Sequence, residues 1–166
     1  ATHSWTILSG DPETTIVLGP SDPSSSSGAT FVFTSSQAGS SFESRMDGGT
    51  WQPATSPDSV SGLSDGTHTY GVRAIGPTGN VDSTPAKHTW TIDTASPNTM
   101  IISAPPNPSG LSSATFDFKS TESGSTFERR IDGSAWVQVS SLDILAGLVD
   151  GIHTYEIRAI DSAGNV

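Results

Sequence analysis

One passage occurs twice. "GLSDGTHTYGVRAIGPTGNVD" spans residues 62–82, and "GLVDGIHTYEIRAIDSAGNV" spans residues 147–166. The spacing that carries His3 onto His88 holds without a gap to the end. It also carries Trp5 onto Trp90, Phe31 onto Phe116, Phe42 onto Phe127, Trp51 onto Trp136, His68 onto His153, Tyr70 onto Tyr155 and Asn80 onto Asn165. Roughly half of the aligned positions are identical, the mark of a duplicated domain. Such a repeat constrains the fold strongly, because both copies must be built on one small plan.

Each copy reads as short strands. "TTIVLG" (14–19) and "TMIISA" (99–104) open the copies. "ATFVFTS" and "ATFDFKS" put Phe31/Phe33 and Phe116/Phe118 on one face by alternation. "SFESRM" and "TFERRI" do the same for Phe42/Met46 and Phe127/Ile131. Asp47-Gly48-Gly49 and Asp132-Gly133-Ser134 carry the turn chemistry of a hairpin. "THTYGVRAI", "IHTYEIRAI" and "KHTWTID" (87–93) alternate likewise, and the last is echoed at the start as "THSWTIL" (2–8). About seven short antiparallel strands per copy predict an all-β chain of two tandem β-sandwiches.

Composition narrows the function classes. Only 14% of the residues are charged and 33% are hydrophobic, with Gly and Pro punctuating every stretch, which argues against helices. A net charge of −10 argues against nucleic acid and against anionic membrane surfaces. No apolar run approaches a membrane span, so membrane insertion is not expected. Without cysteine there are no disulfides, thiolate metal sites or cysteine nucleophiles.

The stretches "SFESRMDGGTW" and "TFERRIDGSAW", with the doubled passage above, resemble the bacterial immunoglobulin-like repeats of large surface and secreted proteins. The resemblance covers nearly the whole chain, twice, and implies immunoglobulin-like sandwiches close in shape to fibronectin type III. The family's cysteine pair is replaced by Ser44 and Ala54 in the first copy and by Arg129 and Val139 in the second. Bracing of that hairpin is therefore expected from packing. In this family's terms, residues 1–10 are the closing strand of a preceding repeat or a donated strand. Residues 11–93 are repeat 1, and residues 94–166 are repeat 2 without its last strand.

Two explanations of that phase compete. The chain is a window on a longer array of neighbouring repeats, or copies of the chain assemble head-to-tail. In the second case His3, Trp5 and Ile7 of one copy lie against Tyr155, Ile157 and Ala159 of the next, by strand addition to an open edge.

No catalytic constellation is expected. The four histidines form two repeat-related pairs, His3/His88 and His68/His153, and a structural role near a sheet end, hydrogen-bonded to backbone, suits His68 and His153. Trp51 and Trp136 follow the Asp-Gly turns, either packed on the sheet or exposed as ligand-facing aromatics for sugar rings. Asp11, Glu13, Asp82, Asp93 and Asp161 offer oxygen ligands for Ca2+. Most of these carboxylates are not repeated at equivalent sites and no EF-hand loop occurs, so no cofactor is expected. The sequence reads as a non-enzymatic structural repeat of an extracellular or cell-surface bacterial fibre, stalk or adhesin. A carbohydrate- or protein-binding module of a secreted protein is the alternative, with cell-surface polysaccharide as a partner.

Overall fold

A computed structural model describes residues 1–4 and 10–166. The chain divides into two units, Ala1–Thr94 and Ala95–Val166. Among the described residues every regular element is a strand.

The first unit holds β1 (Thr14–Leu18), β2 (Ala29–Ser35), β3 (Ser41–Met46), β4 (Gln52–Ala54), β5 (Asp58–Val60), β6 (Gly66–Ile75) and β7 (Ala86–Ile92). One sheet runs β1-β2-β5 and the other β4-β3-β6-β7, all pairs antiparallel. The inner faces follow from alternation. Phe31 and Phe33 from the first sheet meet Tyr70, Val72, Trp90 and Ile92 from the second, each with at most 2% of its surface exposed. The Phe31 and Tyr70 rings stack with centroids 3.9 Å apart, and Trp90 packs edge-on to Phe31 at 5.4 Å. Burying aromatics of this size dominates the stability of so small a unit.

The second unit repeats this with β8 (Thr99–Ser103), β9 (Ser113–Ser120), β10 (Thr126–Ile131), β11 (Val137–Val139), β12 (Leu142–Ala146) and β13 (Tyr155–Ile160). Its sheets are β12-β9-β8 and β11-β10-β13. Phe116 stacks on Tyr155 at 3.7 Å, and Phe118 meets Phe127 edge-on at 5.0 Å, as Phe33 meets Phe42 at 4.9 Å. Two all-β immunoglobulin-like sandwiches in tandem are therefore the fold.

The units differ at one place. In the first, β6 pairs with β3 on one edge and with β7 on the other. In the second, β13 pairs with β10, and among the described residues its other edge has no strand beside it. Among the described residues the second sandwich accordingly has six strands where the first has seven. The loss reaches into the neighbour: β6 is ordered from Gly66, whereas β13 starts only at Tyr155. Residues 151–154, matched to the start of β6, carry no ladder because they have no partner strand.

The expected strand at residues 2–8 falls largely on residues 5–9, which lie outside the described residues. Thr2, His3 and Ser4 are exposed and form no strand.

Candidate functional site

Where β7 lies in the first unit, the second has a groove. It encloses a cavity of about 980 Å³ lined by Phe116, Ile131, Leu145, Leu148, His153 and Tyr155, among others. Their counterparts in the first unit include Phe31, Leu63 and Tyr70, which pack in one cluster with Trp90 and Ile92. The effect on burial is direct. Tyr70 is fully buried, but its counterpart Tyr155 is only partly covered, and Phe31 at 0% exposure becomes Phe116 at 9%. The rim is also more apolar. Ser26, Ser64 and Thr67 of the first unit correspond to Leu111, Val149 and Ile152, which are 73%, 75% and 98% exposed. Exposed apolar residues gathered around an open core mark a surface that another element covers.

A polar pin joins the two sheets in each unit. Asp58 of β5 accepts hydrogen bonds from Tyr70 Oη (2.7 Å) and Ser44 Oγ (2.8 Å). In the second unit Asp143 accepts from Tyr155 Oη (3.2 Å) and faces Arg129, whose Nε lies 2.7 Å from Oδ2 in an ion pair off-line for a hydrogen bond. Burial, together with the neighbouring aspartate, holds both tyrosine phenols far above their ordinary pKa. Packing braces these positions as expected, since Ala54 and Val139 lie against the two cores, and a polar link is added to it. Ser44 and Arg129 each reach an aspartate on the opposite sheet. The sequence carried a signal for this in Asp58 and Asp143, which are repeat-related acids within otherwise core-facing strands.

Two Asp–His clamps close the ends of the hairpins. Asp47 and Asp132 sit at φ = 50° at the first central turn position, followed by Gly48 and Gly133 at 74° and 73°. Both central residues having positive φ is the mirror-image turn that suits a hairpin's twist. Each aspartate then accepts from the backbone N–H of Thr69 or Thr154 and from Nδ1 of His68 or His153, at 2.7–2.9 Å. The second ring nitrogens meet the carbonyls of Ser64 and Val149 at 2.9 and 2.8 Å. With acceptors on both nitrogens the imidazolium is favoured. The aspartate bond, then the backbone carbonyl, raises both histidine pKa values above 6.5. The backbone N–H bond, then the histidine, lowers both aspartates below 3.8. A general base needs a free imidazole nitrogen, and neither ring offers one.

Trp51 and Trp136 are half-buried, and two guanidinium groups stack over each. Arg45 and Arg73 lie 4.3 and 4.4 Å from the Trp51 ring centre, and Arg130 and Arg158 lie 4.8 and 4.3 Å from that of Trp136. Three of these arginines are held in turn by carboxylates on the adjacent strand: Arg73 by Glu43, Arg130 by Glu156 and Arg158 by Glu128. The indoles thus belong to charged layers on the outer faces of the sheets.

Of the expected assembly residues, Tyr155 lines the groove. Ile157 and Ala159 follow it on the inward face of β13, with Ala159 buried against its own core, and do not line the cavity. Trp5 and Ile7 lie outside the described residues, and His3 is exposed. Among the acids considered for Ca2+, Asp82 is buried and engaged. One oxygen accepts from Thr14 N–H, and the other from Thr84 N–H. Asp161 holds Asn165 through backbone and side chain.

No family model matches this chain. No curated protein matches it either. Among solved structures it is similar to the central fibronectin-III array of RIM-binding protein at 14% identity and a TM-score of 0.38, covering 92% of this chain and 60% of that one. It is also similar to a structure described as "Structural basis for the promiscuous specificity of the carbohydrate-binding modules from the beta-sandwich super family". There the identity is 12% and the TM-score 0.44, with 90% and 91% of the two chains covered. The chain thus spans less than two thirds of the fibronectin-III array.

Proposed function

We propose that this chain is a non-catalytic structural repeat of an extracellular bacterial fibre, stalk or adhesin, and that copies join head-to-tail. In that joint, residues 2–8 of one copy enter the second unit of the next. One observation carries the reading: among the described residues the free edge of β13 opens onto a cavity lined by Phe116, Leu145 and Leu148 as well as by polar groups, at the position where the first unit keeps β7. "THSWTIL" at residues 2–8 repeats the pattern of "KHTWTID" at residues 87–93, which includes most of that strand.

Light scattering during size-exclusion chromatography, with negative-stain microscopy of the same fractions, tests it. Mass should rise with concentration, beaded threads should appear, and Trp5→Ala with Ile7→Ala should abolish both. A chain of single-copy mass at every concentration would sink the reading. The assembly calls for no metal, so EDTA should leave mass and thermal transition unchanged.

Binding of polysaccharide through Trp51 and Trp136 is less well supported, because guanidinium groups already engage both rings. Titration with soluble polysaccharides should leave tryptophan emission unaltered, and saturable quenching lost in Trp51→Ala would favour that alternative.

A further inference from the structure

We propose that the outer face of the first unit carries a pocket for one carboxylate, the acidic side chain of a partner protein, with Gly71 as its floor and Arg45 and Lys87 as its walls. Its occupancy does not depend on head-to-tail joining.

The three residues form one row across the sheet. Arg45 of β3 lies opposite Gly71 of β6, and Gly71 lies opposite Lys87 of β7. Tyr70 and Val72, on either side of Gly71, belong to the core, so the row faces outward. It borders a cavity of about 100 Å³ lined by Arg45, Gly48, Thr69, Gly71 and Lys87. A water molecule takes about 30 Å³ of the liquid, so this is room for a carboxylate and its methylene. Residues 1–94 contain one lysine and two arginines, and all three lie on this face as Lys87, Arg45 and Arg73. Arg73 is held by Glu43, and the nearby Asp47 is engaged by His68 and by the Thr69 N–H. Among the described residues Arg45 and Lys87 have no carboxylate partner.

The second unit shows the same row with an acid in it. Arg130 is the counterpart of Arg45, and Glu156 is the counterpart of Gly71. Arg130 Nε and Nη2 each donate at 2.7 Å, one to each oxygen of Glu156. A planar carboxylate fits the guanidinium fork in this way. With the acid in place Arg130 still stacks on Trp136 at 4.8 Å, as Arg45 stacks on Trp51 at 4.3 Å.

The backbone does not require glycine at residue 71. The register runs through it without a bulge, and its φ lies outside the left-handed region. A Cβ there would meet Arg45 and Trp51 at 3.5–3.7 Å, which is ordinary contact. Glycine inside a strand weakens it, and it marks places where a ligand approaches the backbone closely. Here it leaves open the space that Glu156 fills in the other unit. Trp51 holds the Arg45 guanidinium ready for a ligand. Thr69 adds a donor. Its hydroxyl pairs with that of Thr89 at 3.0 Å, and when Thr89 donates, the Thr69 proton is free for the ligand. The pocket takes no more than the end of a side chain, and its filled counterpart holds a glutamate, which makes an acidic side chain the occupant.

The probe is acetyl-Gly-Glu-Gly-amide, titrated at constant ionic strength into the isotope-labelled full chain. NMR follows the arginine Nε–H signals and the Gly71 amide. The Arg45 and Gly71 signals should shift to saturation while the Arg130 signal stays. The peptide with glutamine in place of glutamate should bind at least tenfold more weakly. Arg45→Gln should cost tenfold or more, and Lys87→Gln, which removes an exposed charge, about threefold. Gly71→Glu should abolish capture, because it supplies the acid from within. It should also unfold at a higher urea concentration than Gly71→Gln, which fills the same space without charge. An unchanged circular dichroism spectrum checks the fold of each variant, and Arg45→Gln decides if Gly71→Glu does not fold.

No saturable shift at Arg45 and Gly71, or equal binding of the glutamine peptide, overturns the pocket. Equal movement of the Arg130 signal does the same, since an arginine already paired would then be reporting bulk charge. Binding that survives Arg45→Gln removes its main wall and sinks the site. Inorganic phosphate bound as tightly as the glutamate peptide overturns the choice of a carboxylate.

Discussion

At the scale of single residues, the duplicated positions act as a control experiment. Asp58 and Asp143 do one job with different helpers, a serine hydroxyl in one unit and a guanidinium in the other. Ser44→Ala removes a neutral donor and leaves Tyr70 on the carboxylate, so about 1 kcal/mol of stability should go. Arg129→Ala strips the counter-charge from a carboxylate only 10% exposed, and about 3 kcal/mol is expected. Urea denaturation of the two variants should show that gap. The Asp–His clamps give a pH prediction. Each histidine's pKa is raised on folding, so its contribution is complete below 6.5 and is lost as pH rises through the folded value. Each aspartate's is lowered, so its contribution is complete above 3.8 and is lost as pH falls through the folded value. The clamps therefore stabilise most in mildly acid solution. Asp47→Asn should bring the His68 midpoint in an NMR titration back towards 6.5 while His153 keeps its raised value.

At the scale of strands, alternation and turn chemistry were enough to read the fold. Phe31/Phe33 and Phe116/Phe118 face inward as their spacing requires, and Asp-Gly sits at mirror-image turns. Contacts between distant segments were not legible. Nothing local in "SDPS" announces that Asp22 will hold Thr91, because the pairing exists only once the sandwich has closed. The arginine cover on Trp51 and Trp136 was hidden for the same reason, since Arg45 and Arg73 come from different strands. β13 begins later than the pattern of its sequence predicts. "IHTYEIRAI" has the pattern of one long strand, but a strand edge without a neighbour frays. Amide exchange should register this. Those amides of β13 that do not bond β10 should exchange about a hundredfold faster than their β6 counterparts.

At the scale of the molecule, the open core of the second unit should make it the weaker of the two. Pulse-labelling exchange in rising urea should show β9, β10 and β13 losing protection at a lower denaturant concentration than β2, β3 and β6. Charge sets how readily copies meet. A chain of net charge −10 repels its own kind at low ionic strength, and salt screens that repulsion over about 10 Å at 0.1 M. Association measured by light scattering should therefore tighten as salt rises from about 0.01 M to 0.1 M. Weakening over that range would mean that attraction between charges, rather than apolar burial, drives contact.

The two-sided hold on β7 has a mechanical consequence. A strand at a sheet margin peels away one bond at a time when its end is lifted. β7 pairs with β6 along its length and is held on its other side at its C-terminal end, where the Asp22–Ser24 loop bonds Thr91 and Asp93. Tension along its axis loads those bonds in shear, so many must break together. Resistance to rupture then depends on how slowly that joint opens, more than on its equilibrium stability.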